Sequence, residues 1–151
     1  MPTLSVDTQF GQISIFETDG AIVQLNWSEP SKNTPTPLLQ EAAAQLRAYD
    51  RGELQQFDLP LRVARSAFQQ AVCEAMRAIP YGDTRTYGEL ARELGQSAQA
   101  VGQACGANPI AIIIPCHRVM GAKGLTGFSA PGGVQTKVNL LKHEGAGGFL
   151  I

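Results

Sequence analysis

The chain has little of what staples small secreted or metal-bound folds. Its three cysteines, Cys73, Cys105 and Cys116, are an odd number with no Cys-x-x-Cys spacing, and His117 and His143 are its only histidines. Neither a disulfide framework nor a structural metal is expected from so few ligands. Long apolar runs are also missing. The longest, Ile110 to Ile114 with its one alanine, is far too short to cross a bilayer. The opening "MPTLSVDTQFG" has neither the basic nor the apolar region of a secretory leader, so a soluble, cytoplasmic protein with no membrane partner is expected. There is no internal repeat and no low-complexity tract. What remains is 151 residues, 44% hydrophobic and 17% charged, enough for one globular core or for two small lobes.

A basic surplus is lacking too, since the formal net charge is -1. The charges are nevertheless unevenly placed. Residues 1–59 hold three basic and eight acidic side chains, whereas residues 60–151 hold nine basic and five acidic, so the halves carry -5 and +4. Any DNA contact belongs to the second half, with modest non-specific affinity and a clear salt dependence. Ordinary surface variation would give the same asymmetry.

The pattern along the chain divides at the same place. Residues 1–59 begin with three strand patterns, "TLSVD", "QISIF" and "AIVQLNW", the last two joined by Asp19-Gly20, a strong hairpin signal. A proline-containing loop leads to a helix with Leu38, Ala42, Leu46 and Tyr49 on one face. A small sheet covered by a helix is expected. Residues 60–151 read as mostly helical. Phe68, Val72, Met76 and Ile79 share a face, with Cys73 beside them in the core. "TYGE", Thr86 to Glu89, fits a capping box, and its helix stops at Gly95. Ser97 can cap the next helix, "AQAVGQACG", with Ala98, Val101 and Cys105 as its buried stripe. Two short helices about a glycine turn make a helix-turn-helix candidate. The fold class is thus α/β: a small sheet-plus-helix domain, then a mostly helical domain. Ala98, Ala100, Gly102 and Ala104 leave the second helix almost without bulk, which suits entry into a DNA groove or close packing on another helix. After it come the apolar run "IAIII", read as a buried strand, a glycine-rich loop, and a last helix with Val134, Val138 and Leu141 facing inward.

Cys116 ends that apolar run, with His117 and Arg118 next to it. A thiol reacts as its thiolate, and cationic or proton-accepting neighbours lower its pKa. Side chains of adjacent strand residues point opposite ways, so His117 reaches the sulfur only if the chain turns after Pro115 or a water bridges them. Cys116 as a small core residue at a strand end is the alternative. Glu144, in "LLKHEG", closes a helix where the macrodipole disfavours negative charge. It either orients His117 or is a solvated surface carboxylate.

The segments "IPYGDTRTYGELA", "AVG", "ANPIAIIIPCHRVMG", "GF" and "LLKHEG" occur in this order between Ile79 and Gly145. Together they resemble the O6-alkylguanine-DNA alkyltransferases, also called methylated-DNA–protein-cysteine methyltransferases. The resemblance implies a monomer that binds double-stranded DNA containing alkylated bases. It would flip the damaged nucleotide into a pocket and move the alkyl group from guanine O6 irreversibly to Cys116, without a cofactor. O4-alkylthymine is a second candidate substrate. His117 would take the thiol proton through a water, Glu144 would orient His117, and Asn108 would hold the turn between the DNA-reading helix and the active site. Tyr87 would support nucleotide rotation, Val119 and Ser129 would contact the guanine through their backbones, and Phe128 would wall the pocket. DNA contacts would come from Thr86, Ser97, Ala98, Gln99, Ala100 and Gly102, with Arg118 either structural or facing a phosphate.

The chain departs from that family pattern at three places. Gln99 precedes "AVG" where the family has an arginine that fills the space of the flipped nucleotide. Cys73 stands where a tryptophan is usual, and Ala130-Pro131 are extra residues after Ser129. A non-catalytic lesion-binding relative is one rival reading, which Cys116 opposes. A cysteine hydrolase or redox thiol is another, for which no leaving-group site or resolving cysteine is visible.

Overall fold

The computed structural model describes residues 1–28, 32–121 and 133–146. The glycine-rich segment that contains Phe128, Ser129, Ala130 and Pro131 lies outside the described residues. The chain divides into two compact units, Met1–Ala64 and Arg65–Ile151.

In the first unit, β1 (Thr3–Thr8), β2 (Gly11–Thr18) and β3 (Ala21–Asn26) form one antiparallel sheet in that order. The β2–β3 turn is Asp19-Gly20, with φ of 49° and 77°, the double positive value that a two-residue hairpin turn takes. Helix α1 (Pro37–Asp50) packs on the sheet. Thr36 caps it by accepting from the Leu39 N–H, and Pro37 occupies the first turn, where a missing N–H does no harm. The buried face is Leu39, Ala42, Ala43, Leu46 and Tyr49, so Leu39 takes the place expected for Leu38. The unit extends past residue 59 because Ile22 N donates to Pro60 O and Arg62 N donates to Ile22 O, which ties the following segment to β3.

The second unit contains α2 (Ala67–Arg77), β4 (Arg85–Thr86), α3 (Tyr87–Leu94), α4 (Ala98–Gly106), β5 (Val119–Met120) and α5 (Val134–His143). The two short strands pair in parallel, Arg85 opposite Val119 and Thr86 opposite Met120. The capping box on α3 is complete: Thr86 accepts from Glu89 N, and the Glu89 carboxylate accepts from Thr86 N. Gly95 ends α3 at φ 66° and Ser97 caps α4, so the helix-turn-helix forms as the glycine and caps require. The stripe that α4 buries is Val101, Ala104 and Cys105, and Ala98 is exposed. Gln69 of α2 is buried because its amide donates to Ala104 O at 2.8 Å, tying α2 to α4.

The run Ile110–Ile114 is not a strand. It folds back on itself as a buried turn, in which Ile114 N donates to Ile110 O, Ile113 N to Ala111 O and Cys116 N to Ile114 O. Buried backbone groups need partners, and here they find them locally rather than in a ladder. The reversal puts Ile112 at φ 70°, a strained value for a β-branched residue, which is held because its side chain is 2% exposed in the core. Asn108 clamps the turn from both sides, donating to Ile114 O at 2.8 Å and accepting from Ile110 N at 3.0 Å. Asn108→Ala should therefore cost roughly 2–4 kcal/mol, seen as a lower urea midpoint at constant slope, because a buried donor and a buried acceptor each lose a partner. Asn108→Asp keeps the acceptor role and should fall between.

Candidate active site

The turn delivers the chain to a short 3-10 helix, Cys116–Arg118, all of it buried. Pro115 precedes it at ψ 69°, so three adjacent side chains leave a tight turn rather than alternating along a strand. The Val119 N–H closes the turn on Cys116 O. Opposite stands the C-terminus of α5. Gly145, at φ 67°, ends the helix, with Gly145 N donating to Lys142 O and Ala146 N to Leu141 O. That stop leaves Glu144 at the cap, 5% exposed.

Glu144 is the hub. Its Oε2 lies 2.7 Å from His117 Nε2. Arg118 donates from Nε to Oε1 at 2.8 Å and from its terminal nitrogen to Oε2 at 3.0 Å, a side-on two-bond pair. The remaining Arg118 nitrogen donates to Ile79 O at 2.8 Å, and the Tyr81 ring faces the guanidinium at 5.7 Å. Burial alone would raise the Glu144 carboxyl. The hydrogen bonds and charges of His117 and Arg118 outweigh it and hold the group down at about 2. Glu144 is therefore an anion at neutral pH, so the proton between it and His117 sits on Nε2. The other ring nitrogen, Nδ1, then carries a lone pair, and it has no hydrogen-bond partner among the described residues.

Cys116 does not meet the expectation of a thiol acidified by its neighbours. Burial dominates and pushes it up to about 11, against smaller downward pulls from an Asn108 hydrogen bond and the Lys137 charge. Burial likewise pushes His117 below 6.5 despite the Glu144 contact. The thiol is thus protonated at rest. Moving its proton to His117 in the closed site is uphill, because burial disfavours both of the ions that would result.

Arg118 is 6% exposed and its guanidinium is bonded inward to Glu144 and Ile79, so it does not face outward toward a phosphate as expected. Among the positions expected at DNA, Ser97, Ala98 and Gln99 are exposed, and Thr86, Ala100 and Gly102 are half-buried. Tyr87, half-buried, opens α3. Lys137 is a site residue that the sequence analysis missed. It is 1% exposed, its ammonium donates to Val119 O at 2.6 Å, and it stands 5.9 Å from the centre of the Tyr87 ring. The signal was present, since Lys137 lies three residues after Val134 and four before Leu141, on the face expected to be apolar. Val134 itself is 40% exposed. No group of three or more His, Cys, Asp or Glu residues among the described residues is arranged to hold a metal.

Residues 67–146 match the family model described as 6-O-methylguanine DNA methyltransferase, DNA binding domain. The chain belongs to this family. The methylated-DNA–protein-cysteine methyltransferase of Methanosarcina acetivorans is 40% identical over 151 residues, spanning 93% of this chain and 96% of that protein. That of Mycobacterium bovis is 43% identical over 150 residues, spanning 93% and 90%. The solved structure of Mycobacterium tuberculosis OGT in complex with DNA matches with a TM-score of 0.86 at 40% identity, covering 99% of this chain and 98% of that one. The mixed α/β architecture is that of these relatives.

Two outcomes follow from the charges of the site. His117 resists protonation when folded, so unfolded chains bind its proton more readily, and stability should begin to fall as pH drops below 6.5. Glu144 adds a second loss between 4.5 and about 2, where its folded-state advantage disappears. Urea midpoints measured against pH should show both, and Glu144→Gln should shrink the lower one to what remains from Glu89, whose carboxyl the Thr86 backbone bond also lowers. Lys137→Met should raise the pH at which iodoacetamide modifies the Cys116 peptide, since it removes the cation that lowers this thiol.

Proposed function

We propose that this protein repairs DNA by moving an alkyl group from O6 of guanine to Sγ of Cys116, acting once per molecule. The observation that carries the reading is the pairing of a buried thiol with an adjacent histidine whose Nε2 is held by a carboxylate and whose Nδ1 is left for a proton. His117 takes the Cys116 proton through a water, and the thiolate attacks the alkyl carbon. The carbon–O6 bond breaks with its electron pair left on the purine, which takes up one proton. The product thioether offers water no good leaving group, so Cys116 is not regenerated. Because the resting thiol is neutral, the proton leaves only as the attack develops, and His117 works as a general base.

The relatives' names and the DNA-bound structure support duplex DNA as the partner, reached through the helix-turn-helix. The damaged nucleotide is flipped out of the stack, at a cost of a few kcal/mol that is smallest for weakly paired, damaged bases. Small residues on α4 allow close approach to the groove, with Ser97, Ala98 and Gln99 on its exposed start. Tyr87, and the Val119 carbonyl that Lys137 holds, line the base side; a carbonyl has a second lone pair for the guanine. Phe128 and Ser129 are assigned to the pocket by sequence likeness alone, and O4-alkylthymine is a second substrate to test. The setting of such chemistry is the cytoplasm, and the acting species is the monomer.

Incubation with duplex DNA containing O6-methylguanine should add one methyl group to the Cys116 peptide, read by mass spectrometry. Binding without mass gain would instead mark a lesion binder. Gln99 fills space without charge, so Gln99→Arg should tighten duplex binding and speed repair; equal rates for the two proteins would count against a flipping role at this position.

A further inference from the structure

Arg118 is a buried charge to which the alkyl transfer just described gives no task. Its guanidinium makes two bonds to Glu144, one to Ile79 O, and lies against the Tyr81 ring. We infer that Arg118 is a positioning residue that sets the protonation state of His117. By compensating the Glu144 charge, it keeps the imidazole neutral and able to accept the thiol proton. The inference rests on the proposed alkyl transfer, in which His117 is the base.

The argument is one of charge count. A buried imidazole beside a lone carboxylate is driven toward imidazolium, because the ion pair is favoured over two separately buried groups. His117 would then already hold the proton that it must take from Cys116. A guanidinium never gives up its charge, and its two-bond fit to the carboxylate makes Glu144 and Arg118 neutral as a unit. Among the described residues, three charged groups act on His117: Glu144 at the end of α5, Lys137 within α5, and Arg118 from the same short turn. Burial opposes its protonation most, and the two cations add to that against the pull of Glu144.

The surrounding backbone fixes this arrangement. Tyr81 Oη donates to His143 O at 3.3 Å, one residue before Glu144. Gly82, at φ 87°, lies so near that a Cβ would meet Glu144 O at 3.4 Å. The segment Ile79–Gly82 therefore clasps the end of α5 and holds Arg118 by the Ile79 carbonyl. An arginine serving only as structural glue would, when removed, slow transfer equally at all pH values. One that compensates charge would instead move the acid limb of the rate profile.

The test measures methyl transfer from O6-methylguanine duplex against pH, together with the His117 ring titration by NMR in a His143→Gln background that leaves one histidine signal. In Arg118→Met, both the acid limb and the His117 midpoint should move upward by at least about one pH unit, a tenfold loss of neutral imidazole below the limb. Adding Glu144→Gln to Arg118→Met should bring both back. Arg118→Lys, which keeps the charge and loses the two-bond fit, should stay near the wild-type midpoint. Should Arg118→Met not fold, Arg118→Gln carries the same expectation. A folded charge-removing variant whose His117 midpoint does not move overturns the inference. A wild-type protein that transfers no methyl group overturns the alkyl-transfer reading instead, while the titration, which needs no DNA, still decides on Arg118.

Discussion

One buried carboxylate, placed where a helix least favours it, organises the second unit. Glu144 sits at the C-terminal end of α5, against the negative pole of the macrodipole and out of water. Only close cationic and N–H partners make such a position tenable, and the PCHRV turn brings two of them, His117 and Arg118, on adjacent residues. The parts that look incidental serve this contact. Gly145 stops the helix at the right residue, Ile79 and Tyr81 brace the arginine, and the buried isoleucine turn aims Cys116–Arg118 at the helix end.

Burial has opposite consequences for the two partners in the proposed proton transfer. It raises the Cys116 thiol to about 11, leaving it quiet toward stray electrophiles, and it keeps His117 unprotonated and ready to accept. Neither group is reactive alone. In the proposed reaction they become so together when an alkylated base fills the pocket, with the Lys137 charge and the Asn108 bond easing formation of the thiolate. This suits a protein that can use its nucleophile once.

The sequence showed much of this because several signals were local. Asp19-Gly20 announced its hairpin, Thr86 and Glu89 their capping box, and Gly95 with Ser97 the turn of the helix-turn-helix. The misplaced charge of Glu144 allowed either a partner in His117 or a solvated surface place, and its burial 2.7 Å from His117 excludes the second. What stayed hidden depended on contacts distant in sequence. The isoleucine run has strand composition, and it turns because Asn108 satisfies both of its ends, which composition does not reveal. Lys137 occupies an inner-face position that Val138 and Leu141 marked as apolar, and its reason to be there, Val119 O, comes from another element. Arg118 beside a cysteine suggested an activator, a structural residue or a phosphate contact; only the fold shows its charge already matched by Glu144.

The central claim is that His117 is a neutral ring whose one proton Glu144 holds on Nε2, leaving Nδ1 to take the thiol proton. Long-range proton–nitrogen NMR of the His117 ring near pH 7.5 reads this directly. The account predicts a pyrrole-type Nε2 and a pyridine-type Nδ1. An imidazolium, or a proton found on Nδ1, would contradict it.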